Sequence, residues 1–127
     1  MTVILFTHLG VDVRQLSHEK LDVYQKATEF LAIAYQLIES IPKGNGNIVD
    51  QLKRASVSVV LNIAEAAGHP SPAKAQHHFA IARGSALECG AVLDTCRILN
   101  IGSQGLMPDG KDLLVSVVAM LSKMCRR

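Results

Sequence analysis

The segment that most constrains this chain is Gln51–Gly68, QLKRASVSVVLNIAEAAG, a helical stretch too apolar to lie on a surface. From Val57 to Ala67 its only strongly polar side chains are Ser58, Asn62 and Glu65. An amphipathic surface helix shows one apolar stripe and one polar face. Here Val57, Val59, Val60, Leu61 and Ile63 point around the whole circumference, so one neighbouring helix cannot cover them. The segment is expected either at the centre of a helical bundle or shared with another subunit.

Three further helices are read around it. The first runs from about residue 19 to 41, with Ser17 placed to cap it. Its Val23, Ala27, Phe30, Ala34, Leu37 and Ile41 recur at spacings of four and three, the seam of a left-handed bundle helix. Pro42 and Gly44-Asn45-Gly46 end it. The second helix spans about 47–67, with Asn47 as its expected cap and Asp50 favoured in its first turn. Ser71-Pro72 is a start signal, a capping residue followed by proline at the first helical position. The third helix, about 72–100, places Phe79, Ala82, Ala86, Cys89, Leu93 and Cys96 on one face. Gly84, Ala86, Gly90 and Ala91 would permit close backbone approach. The fourth, about 109–125, opens on Asp109 and Asp112 as a capping-box-like pair and carries Leu114, Val117, Val118, Leu121 and Met124.

Short loops between long helices force antiparallel neighbours, so the expected class is all-α, an antiparallel up-down-up-down four-helix bundle over 19–127. Residues 1–18 form an N-terminal extension outside this pattern, with a flexible arm, a short strand and a misplaced helix start all open. A length of 127 residues suits one domain. MTVILFTHLG has a four-residue apolar run and no basic flank, and no stretch reaches about 18 apolar residues. A soluble, cytoplasmic protein is expected. Cys89, Cys96 and Cys125 lack ligand-like spacing, and the rise between the first two exceeds disulfide reach. Free thiols suit a reducing compartment.

Arg83, Ser85 and Glu88 sit mid-helix in IARGSALECGAVL. A buried carboxylate requires a partner or a proton, and the planar fork of Arg83 is the natural partner. A polar cluster of Asn62, Glu65, Arg83, Ser85 and Glu88 is therefore expected between the second and third helices, setting register. Glu65 and Glu88 as an acid/base pair is the weaker alternative, since no pocket is signalled. Adjacent His77 and His78 diverge around a helix and form no metal motif; with His69 they are expected to be solvated. No metal, cofactor or catalytic residue is expected. A formal charge of +2 does not argue for nucleic acid. The positions open to phosphate contact are Lys53, Arg54, Lys74, Arg97, Lys123, Arg126 and Arg127; Arg126-Arg127 equally complements a helix dipole.

Leu21-Asp22-Val23-Tyr24-Gln25-Lys26, Gln51-Leu52-Lys53-Arg54-Ala55-Ser56-Val57-Ser58, Asn62-Ile63-Ala64-Glu65 and Ile81-Ala82-Arg83-Gly84-Ser85-Ala86, with Glu88, carry a resemblance. Together they resemble the four-helix-bundle proteins read from intervening sequences of large-subunit rRNA genes, over residues 19–125. The accessory variability determinant of diversity-generating retroelements is a structural relative of that family. The resemblance implies a homopentameric ring, and it implies no enzyme activity. It also implies a scaffold or adaptor that engages RNA, DNA or a nucleic-acid enzyme such as a reverse transcriptase. A purely protein-binding module is the alternative. Val60-Leu61 replaces a common Pro-Ser pair, removing a kink, and His69-Pro70 replaces a more basic turn.

Overall fold

The computed structural model describes residues 16–125, which form four α-helices and two short 3₁₀ turns. Arg126, Arg127 and the extension up to residue 15 lie outside the described residues. Helix α1 spans Asp22–Ser40, α2 Gly46–Gly68, α3 Pro72–Leu99 and α4 Met107–Met124. α1 packs on α2, α2 on α3, α3 on α4, and α4 returns to α1. The core is the closed space between them.

Of the seam read in α1, Ile41 is half-buried just past the helix end, and Val23, Ala27, Phe30, Ala34 and Leu37 are all buried. They meet Leu52, Ala55, Val59 and Ile63 of α2, Ala82, Ala86, Cys89, Leu93 and Cys96 of α3, and Leu114, Val117 and Leu121 of α4 in one cluster. α4 comes close through Gly110, where a Cβ would stand 3.4 Å from Leu93 and 3.5 Å from Phe30. The expected close approach at Gly84 and Gly90 is absent; nothing lies within 4 Å of a Cβ at either. Those glycines face outward or into a groove, so the small residue that matters is on the partner helix.

Helix starts depart from expectation at three places. Ser17 opens a 3₁₀ turn, Ser17–Lys20, that packs on α1 and α2, and α1 begins at Asp22 with no side-chain cap. Asn47 lies inside α2; Asn45 is the cap residue, yet its amide donates to the Pro42 carbonyl at 2.9 Å. α4 begins at Met107 after a 3₁₀ turn, Gln104–Leu106, so Asp109 sits in its first turn. A favourable capping residue acts only when the backbone at that position leaves the helical region. Ser71 meets that condition: its ψ is 117°, and its Oγ accepts the Lys74 N–H at 3.3 Å. α3 ends at Asn100 in the left-handed region, where the Ile101 N–H reaches the Cys96 carbonyl at 2.8 Å.

α2 is covered on two sides rather than all around. Leu52, Ala55, Ser56, Val59, Val60, Ile63 and Ala66 are buried, Val57 is half-buried, and Leu61 is 62% exposed. Buried Ser56 satisfies its hydroxyl by donating to the Leu52 carbonyl at 2.7 Å. Among the described residues no helix is long and apolar enough to cross a membrane.

Candidate functional site

A ladder of polar contacts joins α2 to α3. At one end Arg54 bonds Glu88 at 2.6 Å and also donates to Gln51. At mid-height the hydroxyls of Ser58 and Ser85 meet at 2.8 Å. Beyond them Asn62 donates to the Ser58 carbonyl at 2.9 Å, and its Oδ1 lies 3.0 Å from His78 Nδ1. Partner numbers rise along α2 as they fall along α3. The rungs at Ser58, Ser85, Asn62 and His78 are half-buried, where a hydrogen bond matters more than at the fully wetted end.

The expected cluster is thus only partly assembled. Asn62 and Ser85 take part through Ser58, and Glu88 through Arg54. Arg83 holds no carboxylate: its Nε donates to Ser122 Oγ of α4 at 2.7 Å, and Ser122 in turn donates to the Val118 carbonyl. The side of α3 that carries Arg83 therefore faces α4 and not α2. Glu65 is exposed and has no hydrogen-bond or ion-pair partner among the described residues. Glu88 sits level with Arg54, eleven residues or roughly 16 Å of helix away from Glu65. That separation is too long for two carboxylates to work on one bond.

Ser58, His78 and Ser122 are partners that the sequence alone does not single out. Each is visible only once helix register is known, because Ser58 and Ser85 face each other through tertiary packing. His78 and His69 also differ from the solvated state expected for them. Both are half-buried, and His69 Nδ1 lies 3.1 Å from the Ser71 N–H. His77 is exposed. No group of three or more His, Cys, Asp or Glu among the described residues is arranged to hold a metal ion. Cys89 and Cys96 are buried free thiols, and burial pushes the Cys89 thiol up to about 12 with help from the nearby Glu88 carboxylate.

Among the described residues the basic positions do not form one patch within a single chain. Lys53, Arg54, Lys74, Arg97 and Lys123 are exposed, but Lys74 and Arg97 stand at opposite ends of α3, roughly 35 Å apart by helical rise. Arg54 is tied to Glu88, and Arg97 lies 3.8 Å from Asp94. Arg97 and Lys111 flank a shallow cleft of about 230 Å³ that Asp94 also lines. Arg126 and Arg127 fall outside the described residues.

Apolar side chains are left open on two sides of α3. On the side toward α2, Leu61 is 62% and Ile81 38% exposed, at the level between the Ser58–Ser85 and Asn62–His78 contacts. On the side toward α4, a groove of about 320 Å³ is lined by Ala86, Leu87, Gly90, Leu114, Val115 and Val118. Leu87 and Val115 at its rim are 48% and 59% exposed.

No curated protein matches the chain. The sequence profile of the 23S rRNA-intervening sequence proteins matches residues 19–123. That span takes in α1, α2, α3 and all but the last residue of α4, and the chain belongs to the family of 23S rRNA-intervening sequence proteins.

Proposed function

We propose that this chain is a non-catalytic subunit of a homo-oligomeric scaffold, an antiparallel up-down-up-down bundle repeated around a closed homopentameric ring. The observation that carries the reading is the pair of apolar features on two sides of α3. Leu61 and Ile81 are exposed on the α2–α3 side, and the α3–α4 face is a groove rimmed by Leu87 and Val115. Open apolar side chains and an apolar groove on different faces of one molecule favour a head-to-tail contact, and such contacts close into rings when the rotation permits. The opposite order of the α2–α3 partners supports the antiparallel arrangement, as do short connections between the helices. The five-fold count rests on the family resemblance. Free thiols suit a cytoplasmic setting.

The scaffold's partner on this reading is RNA, DNA or a nucleic-acid enzyme such as a reverse transcriptase, in keeping with the related accessory determinant of retroelements. Scattered cations become a ring when repeated: Lys53 and Arg97 toward one end, Lys74 and Lys123 toward the other. A second reading, a scaffold for protein partners alone, is favoured by the acidic neighbours of Arg54 and Arg97. Titration of labelled single-stranded and duplex RNA and DNA at low and moderate salt separates the two. Phosphate contacts release counterions, so nucleic-acid binding must weaken steeply with salt. Absence of binding even at low salt would leave the protein-binding scaffold. An acid/base role for Glu65 and Glu88 has least support, given their separation.

A further inference from the structure

We infer that the turn from α2 to α3 is a pH-sensitive clasp, closed by neutral His69 and opened by acid. His69 caps the C-terminus of α2, and Ser71 caps the N-terminus of α3. A single side-chain bond links the two caps: the Ser71 N–H donates to His69 Nδ1 at 3.1 Å. An acceptor at Nδ1 requires the ring to be neutral with its proton on Nε2.

His78 has the opposite tautomer. Asn62 must turn its NH₂ toward the Ser58 carbonyl, an obligate acceptor, so its Oδ1 faces His78 Nδ1. An amide oxygen only accepts, and His78 Nδ1 therefore carries the proton, leaving Nε2 bare. A second proton on His78 adds at Nε2 and spares the Asn62 bond. A second proton on His69 adds at Nδ1 and destroys the Ser71 bond.

The two rings stack at 6.0 Å between centroids and 28° between planes, and His77 stands 5.9 Å from His78. Acid thus both removes the acceptor that holds the turn and places like charges face to face. The other charged or titratable groups toward this end of the bundle include Glu65 on α2, Lys74 on α3, Lys123 and Cys125 at the end of α4, Asp22, Tyr24 and Lys26 on α1, and His18 and Glu19 on the turn against α2. None of them is hydrogen-bonded or ion-paired to His69 or His78 among the described residues. The neutral imidazoles and their fixed tautomers are what the geometry depends on.

Nitrogen NMR on the intact chain at about pH 8 reads the tautomers directly, and amide exchange of Ser71 at about pH 8 and about pH 5 reads the clasp. The expected result is Nε2–H on His69 and Nδ1–H on His78. Ser71 protection, corrected for intrinsic exchange, is expected to fall roughly five- to tenfold in acid, the weight of one hydrogen bond. His69→Gln keeps an acceptor that does not titrate and is expected to abolish that fall, whereas His77→Gln leaves it in place. Exchanged tautomers, unchanged Ser71 protection in acid, or an undiminished fall in His69→Gln would each overturn the inference.

Discussion

Asn62 and His78 face each other across the α2–α3 interface at 3.0 Å, and Asn62 holds its orientation by donating back to Ser58. The pair fixes one register of α3 on α2, because a one-residue slip would rotate His78 by about 100° away from its acceptor. Asn62→Ala and His78→Ala should each cost about 1 kcal/mol, with a coupling of about 0.5–1.5 kcal/mol in a double-mutant cycle. Urea unfolding of the four proteins measures it; additive effects would show that the bond contributes nothing to register.

The ion pair at the wet end of the same ladder should behave differently. Arg54 and Glu88 are 2.6 Å apart, but their side chains are 61% and 36% exposed. Arg54→Ala is expected to cost about 0–1 kcal/mol, and less as salt rises. Thermal melts at two ionic strengths test this.

Gly102 has φ of +79°, and a Cβ there would sit 3.0 Å from Leu37 Cδ1 and 3.2 Å from Ile41 Cγ1. Gly102→Ala combines a disfavoured backbone with a clash and should destabilise by about 1–3 kcal/mol. The neighbouring Ser103 N–H donates to Ser40 Oγ at 2.8 Å, so the loss should appear as earlier exchange at the α1 end. Denaturant midpoint and amide exchange report the two parts separately.

Cys89 carries a thiol pushed up to about 12 by burial, against an ordinary value of 9.0. A raised folded value means the unfolded chain sheds this proton first. Stability from this group is therefore intact below about pH 9 and declines as pH rises toward 12. Half-buried Cys125 should be alkylated at mild pH, with Cys89 and Cys96 modified only at the rate of unfolding. Mass spectrometry of timed labelling distinguishes the three thiols.

The α1 seam and the Ser71-Pro72 start were legible because each depends on local spacing or on two adjacent residues. The caps at Ser17, Asn47 and Asp109 were not, since capping is decided by backbone angles that composition leaves open. Arg83 shows the same limit for the site. Whether it faces α2 or α4 depends on the rotation of α3, which periodicity alone leaves ambiguous when polar residues occur on two faces. The apolar surplus of α2 was readable, and Leu61 is what remains of it after α1 and α3 are packed.

That residue gives the most direct test of the account. Light scattering of the wild-type chain and of Leu61→Glu and Val115→Glu, with circular dichroism to check that each variant remains helical, measures whether the exposed Leu61 side and the groove join copies of the molecule. The account predicts a pentameric mass for the wild type and a fall toward the 13.7 kDa monomer for both folded variants. A wild-type chain that is monomeric at high concentration would contradict it, as would folded variants that keep the wild-type mass.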